Sequence, residues 1–241
     1  KILDPCCGTG NFLLQLPEHV TFHSVYGNDI DTVSVKITRL NMALKYNVPI
    51  TAIYKHITES DYLINYSSKD FQYIIGNPPW GYEFSEDEKS KLRVLYKSAS
   101  GKNIESYDVF IEQALNHLAV NGHLTYVLPE AILNIKAHTE IRKIIIENCC
   151  IKNLDFLGNA FDGVQCPSII LDLQCTHSAL STLGMNVNTS TESFTINTER
   201  TVNSEYFSFT TSDAEYNVMN KIRNISNASY LLGNADFALG I

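Results

Sequence analysis

No apolar run in this 241-residue chain is long enough to cross a bilayer, and the opening stretch KILDPCCGTG holds neither a signal-peptide core nor an initiating Met. Residue 1 therefore reads as a cut inside a larger protein, no membrane partner is expected, and a reducing cytoplasm is the simplest compartment. The six cysteines, Cys6-Cys7, Cys149-Cys150, Cys166 and Cys175, contain no Cys-x-x-Cys pair and no dense disulfide spacing. Seven histidines add no metal pattern, so no metal site is predicted. Basic charge is short as well. Eighteen Lys and Arg against 26 Asp and Glu leave a formal charge of −8, which argues against a free-standing nucleic-acid binder. The densest basic stretch, KSKLRVLYKSASGK at 89–102, follows SEDE and reads as a solvated helix face and a loop. Proline is scarce, with seven in the chain, yet Pro78 and Pro79 are adjacent in YIIGNPPWGYEF. Two prolines remove two backbone donors and fix two φ angles where an apolar strand delivers its chain to the surface. A strand-ending turn is the plain reading of that corner.

What is present is a globular alternation of short apolar runs with helical periodicity, 44% hydrophobic overall, which predicts an α/β fold with a parallel sheet covered by helices. Strands are expected at KILDPCC, leaving the core at Asp4, at TFHSVYGNDI, ending at Asp29, and at ITAIYKHI, FQYIIG and GHLTYVL. Asp31 is placed to cap a helix whose Val33, Ile37, Leu40 and Leu44 make one buried stripe. Phe110, Ile111, Ala114, Leu115 and Leu118 line one face of a later helix, and another surrounds Ile141, Ile144 and Ile145. IKNLDFLG and CPSIILDLQ look like a closing antiparallel pair. After Gln174 the chain is rich in Thr, Ser and Asn, as in a loop or β-rich insertion, until SDAEYNVMNKIRNI offers a Ser or Asp cap and a helical pattern of Val218, Met219 and Ile222.

The loop DPCCGTGNFLL follows the first strand, at the position where α/β sheets bind nucleotide-like ligands. Gly8 and Gly10 would let backbone approach a ligand. The third glycine of a dinucleotide fingerprint would fall at Leu13 and is absent, as is the Lys-Ser or Lys-Thr of a phosphate-gripping loop. A site with Asp4 and no pyrophosphate cradle suits a cationic or amino-bearing ligand. Asp29, 19 residues beyond Gly10, ends the second strand where a carboxylate can accept from both ribose hydroxyls. Asp61, in ITESDYLI, is either a plain turn residue or an acceptor for an adenine amino group.

In that order, DPCCGTGNF, GNDID, SDYL and IIGNPPW resemble the S-adenosylmethionine-dependent adenine-N6 DNA methyltransferases of restriction-modification systems, of the gamma type with the cofactor motif ahead of the catalytic one. The resemblance spans residues 1 to about 175, as a catalytic domain lacking the family's N-terminal segment. It implies a Rossmann-like methyltransferase fold, a mostly parallel seven-stranded sheet with an antiparallel final strand and helices on both faces. Residues 176–241 would be a β-rich insertion and a helix leading, through LLGNADFALGI, toward an absent target-recognition domain. By resemblance Asp4, Cys6, Gly8, Gly10 and Phe12 surround the methionine part of the cofactor, Asp29 takes the ribose, Ile30 packs on the adenine, Asp61 binds its amino group, and Tyr62 is a further cofactor-binding residue. Asn77, Pro78, Pro79 and Trp80 would be catalytic: acceptors at Asn77 and Pro78 hold the amine, and Trp80 stacks on a flipped-out base. Phe161 would close the opposite wall of the base pocket or serve the core. Double-stranded DNA, gripped mainly by the recognition domain, and a fused or associated nuclease are the implied partners. Two other readings fit the same motifs. One is a methyltransferase acting on a protein glutamine or an RNA guanine amine; the other is a catalytically silent binding domain of a restriction complex.

Overall fold

The computed structural model describes residues 1–66, 70–160, 163, 166–178 and 180–225. Phe161 and the segment LLGNADFALGI lie outside them. The elements run β1 (Ile2–Asp4), α1 (Asn11–Leu14), β2 (Val25–Asp29), α2 (Thr32–Tyr46), α3 (Ile50–Ile53), β3 (Ile57–Glu59), β4 (Phe71–Gly76), α4 (Glu86–Leu95), α5 (Ser106–His117), β5 (Leu118–Pro129), α6 (Thr139–Asn148), β6 (Cys149–Gly158), β7 (Ser168–Cys175), β8 (Asn186–Asn188), β9 (Ser193–Thr195) and α7 (Asp213–Arg223). No helix among the described residues is long and apolar enough to cross a membrane.

The described strands form one nine-stranded sheet, ordered β3-β2-β1-β4-β5-β7-β6-β8-β9. Five neighbouring strands, β3 to β5, pair in parallel, and β7 lies antiparallel between β5 and β6. The expected α/β class and the closing antiparallel pair are both present. The sheet is wider than the seven strands expected because β8 pairs with β6 and β9 with β8, so the Thr- and Ser-rich segment adds two short strands to the same edge. From β1 the chain builds outward through β2 and β3, then returns to start β4 on the other side of β1. That reversal opens a crevice at the carboxyl ends of β1 and β4, where such sheets hold their ligands.

Two predicted elements differ in detail. ITAIYKHI was expected as a strand, but Ile50–Ile53 is a helical turn entered from Pro49, whose φ of −58° suits a helix start, and only Ile57–Glu59 pairs. In TFHSVYGNDI the strand begins at Val25, after a 3-10 turn at Phe22–Ser24. A larger correction concerns α2. Val33, Ile37, Leu40 and Leu44 are exposed, and the buried face is Val35, Thr38 and Met42. Polar side chains decide the rotation of this helix: Thr38 Oγ1 donates to Gly8 O at 2.6 Å, Asn41 Nδ2 to Thr9 O at 3.0 Å, and Lys45 Nζ to Leu14 O and Leu16 O at 2.7 Å each. These bonds satisfy carbonyls of the first loop and of α1 that have few other partners. On α7, likewise, Val218, Met219 and Ile222 are exposed.

The α5 prediction also changes. Leu118 belongs to β5, and the helix is buried on nearly all sides, with Asn116 its single exposed residue. Its inward polar groups are paired: Glu112 accepts from Lys97 N and Ser98 N, Gln113 Nε2 donates to Tyr62 O, and Asp108 meets His138. Such pairing is what allows a helix carrying Asp and Glu to sit inside the fold.

Candidate active site

The loop after β1 turns sharply through Gly8 (φ +51°) and Gly10 (φ +92°), and a Cβ on Gly10 would stand 3.1 Å from Thr38 Cγ2. Asp29 holds this loop. Its Oδ2 accepts from Gly8 N at 2.7 Å and its Oδ1 from Asp31 N at 2.9 Å, which leaves further lone pairs on both oxygens for a ligand. Beside it, Asn28 is buried and ties three strand ends together. Its Nδ2 donates to Pro5 O and Ser60 O, and its Oδ1 accepts from Thr58 Oγ1 and Ser60 Oγ.

A cavity of about 280 Å³ opens at this edge, lined by Cys6, Asp29, Ile30, Asp61, Tyr62, Asn77 and Pro79 among others. Seven of the predicted positions thus come from four separate loops to one hollow. Asp61 Oδ1 accepts from Leu63 N at 2.9 Å, which orients the carboxylate. Tyr62 is mostly core: its ring stacks on Phe110 and its hydroxyl meets His117 Nδ1 at 3.1 Å. Among the described residues, the other predicted positions, Asp4, Gly8, Gly10, Phe12, Pro78 and Trp80, are not part of that lining. Phe12 is half exposed, Pro78 is buried, and Trp80 packs partly buried against the main apolar cluster.

Charge in the site is shaped by burial. Asp4 is fully buried, and loss of water, aided by the nearby Asp29 charge, pushes its carboxyl up to about 7. One of its oxygens accepts from Cys6 N, and the other has no hydrogen-bond partner among the described residues. Asn77 Oδ1 and Tyr126 Oη share that condition. Tyr126 lies opposite Gly76 in the β4–β5 register. A Cβ at Gly76 would reach within 2.8 Å of Asp4 Oδ1, so glycine there makes room for the carboxyl. Buried polar atoms without partners are costly, and a cluster of them at a crevice is what a ligand's donors would complete.

Several lining residues escape sequence reasoning. Tyr82, Phe84 and Glu88 follow the Pro-Pro corner, with Tyr82 and Phe84 packed edge to face at 4.9 Å, and Phe110 comes from α5. The aromatic spacing of GYEF directly after the corner is a local signal for the first two. Nothing local marks Asn28, Ser60 or Tyr126, whose roles depend on partners from other strands.

Residues 1–230 match the family model described as N-6 DNA Methylase. The chain belongs to the N-6 DNA methylase family. Among curated relatives, it is 30% identical over 242 residues to the type II methyltransferase M.VspI of Vibrio sp. (strain 343), covering 99% of this chain and 57% of that protein. It is 30% identical over 146 residues to the modification methylase CviBIII of Paramecium bursaria Chlorella virus NC1A, covering 61% of this chain and 35% of the relative. The chain therefore spans about half or less of the length of these relatives. Among solved structures, the type I restriction-modification methyltransferase subunit from Streptococcus thermophilus superposes with a TM-score of 0.61 at 20% identity, covering 92% of this chain and 47% of the other. At that identity the likeness shows a shared fold.

Proposed function

We propose that the protein containing this chain is a site-specific DNA methyltransferase of a restriction-modification system, acting on the N6 amino group of adenine with S-adenosylmethionine as methyl donor. The observation that carries the reading is the meeting of Asn77, on its Pro-Pro corner, with Asp29 and Asp61 around one cavity, the Asn77 side-chain oxygen having no hydrogen-bond partner among the described residues. The cofactor fits the residues present. Its ammonium group and sulfonium are cationic, and Asp4 offers an unpartnered carboxyl oxygen at this edge. Asp29 keeps acceptor capacity for ribose hydroxyls, Asp61 for an adenine amine, and exposed Ile30 and the ring of Phe110 offer apolar walls. Gly8 and Gly10 supply the close backbone, and Cys6 and Phe12 flank that loop.

When bound, the cofactor supplies an electron-poor methyl carbon. The chain's own work is to make a poor nucleophile attack it. The amino nitrogen of adenine shares its lone pair with the ring; Asn77 Oδ1 and the Pro78 carbonyl accept its two hydrogens, relieve that delocalisation and hold the nitrogen in line. Both bonds strengthen as positive charge grows on nitrogen, which is electrostatic stabilisation of the transition state. Pro79 stiffens the corner, Trp80 gives an aromatic face to a base taken out of the duplex, and Phe161 is assigned to the facing wall. The base is reached by flipping, so duplex DNA is the partner, with a restriction nuclease fused or associated. Residues 1–175 are assigned to catalysis and 176–241 to the approach to a recognition domain.

The test uses methyl-labelled cofactor with the full-length protein. Label is expected in adenine of duplex DNA, and Asn77→Ala abolishes transfer while the folding transition is kept. Equal transfer to protein in the absence of DNA would point instead to an amide or RNA amine as substrate.

A further inference from the structure

The corner Asn77-Pro78-Pro79-Trp80 has two residues without an N–H, and its carbonyls are held from outside it. Cys6 Sγ donates to Asn77 O at 3.4 Å, and Ser106 Oγ donates to Pro79 O at 2.5 Å. Between these two anchored peptide planes lies the plane carrying the Pro78 carbonyl. Its direction depends on φ and ψ of residues 78 and 79, and both φ values are locked near −65° by the rings. Only two torsions remain, and a hydrogen bond on the carbonyl at either side restrains both. Cys6 is held by its amide, which donates to Asp4 Oδ1 at 3.2 Å, and Ser106 by its place in the fold. Ser106 is 1% exposed at the first position of α5. The next two residues are locked in a buried network, with Tyr107 Oη meeting His138 Nε2 at 2.8 Å and His138 Nδ1 meeting Asp108 at 2.9 Å. Burial holds the Cys6 thiol pKa well above its ordinary value, so the sulfur stays protonated and able to donate.

We propose that Ser106 and Cys6 are positioning residues that aim the Pro78 carbonyl and the Asn77 side chain at the substrate amine, acting through the two flanking carbonyls. This rests on the adenine-methylating reading and assigns to Cys6 a task beyond lining the cofactor site. Ser106 touches neither the substrate nor the cofactor in this scheme.

The experiment compares wild type, Ser106→Ala and Ser106→Thr in the full-length protein, by single-turnover methyl transfer, cofactor affinity, thermal unfolding and infrared spectroscopy with carbonyl-13C proline. A misplacement of about 1 Å costs roughly 100-fold in rate. Ser106→Ala is therefore expected to slow transfer about 10- to 100-fold with cofactor Kd within twofold, and to move a proline carbonyl band to higher frequency as its hydrogen bond is lost. Ser106→Thr, which keeps the hydroxyl, returns both rate and band. An unaltered rate in Ser106→Ala overturns the inference. So does a slowing that Thr fails to rescue, or one that tracks a lowered melting point and lost cofactor binding. If wild type itself transfers nothing to adenine, the functional reading fails, and the carbonyl band still reports whether Ser106 holds Pro79.

Discussion

The amide of Gly8 donates to Asp29 Oδ2 at 2.7 Å, joining the glycine loop after the first strand to the carboxylate that ends the second. A single side chain thereby shapes the backbone that, on the proposed reading, would face the methionine part of the cofactor, and would itself hold the ribose. On that reading loop shape and ligand affinity are coupled through it.

Replacement by Asn tests that coupling. An amide puts an N–H donor where one of two carboxylate oxygens now accepts from Gly8 N or Asp31 N. Asp29→Asn should weaken cofactor binding at least tenfold and lower stability by about 1–3 kcal/mol, the usual scale for charge-assisted bonds. Calorimetric titration alongside urea unfolding separates the two effects.

Gly10 supplies a second test. At φ +92°, with a Cβ facing Thr38 Cγ2 at 3.1 Å, alanine is strained in the backbone and crowded at the side chain. Gly10→Ala should cost on the order of 1–3 kcal/mol in denaturant unfolding. Gly163, where a Cβ would meet nothing within 4 Å among the described residues, is a control for the contact alone, since its φ of +77° is also positive.

The raised carboxyl of Asp4 gives two pH dependences of opposite sign. Its folded pKa of about 7 lies above the unfolded value of about 4, so its contribution to stability is fully present below pH ~4 and is lost as pH rises through 7. A cationic ligand favours the ionised form, so cofactor affinity should rise with pH through the same window, up to about tenfold per unit below 7. Asp4→Asn removes both slopes. Titrations in buffers of different ionisation enthalpy would show the proton released on binding by wild type alone.

Arg142 is fully buried and forms no ion pair among the described residues, although the charges of Asp108 and Glu205 act on it, and it donates to four main-chain carbonyls, of Ile132, Ile135, Ser204 and Glu205. It pins the chain after β9 to the turn that precedes α6. Arg142→Met removes all four bonds, with Ile135 O alone keeping a backbone donor among the described residues, His138 N, and a loss of about 3 kcal/mol or more is expected. Lysine should restore only part, because one ammonium cannot span the set. Limited proteolysis around 200–210 would report the released segment.

Much of the site was legible because its signals are local. Gly8, Gly10, Asp29, Asp61 and the Pro-Pro corner each end a strand, and a parallel sheet brings successive strand ends to one edge. Trp80 shows the limit of that logic: its neighbours in sequence line the cavity, while its own indole packs partly into the core. In α2 the apolar spacing was real but did not decide the buried face, since Thr38, Asn41 and Lys45 turn inward to satisfy loop carbonyls. Periodicity counts apolar residues and cannot see unsatisfied backbone elsewhere. The pairing of β8 with β6 was equally hidden, because it joins residues such as Asn188 and Asp155 that lie 33 positions apart.

The outward stripe on α2 also bears on handling the molecule. Leu44, Val33 and Leu40 stand in water at 80%, 62% and 54% exposure, so this chain prepared by itself should be colloidally sticky along the outer face of α2. Glutamate at Val33 and Leu44 would make concentrated samples better behaved without disturbing the inward contacts of Thr38, Asn41 and Lys45.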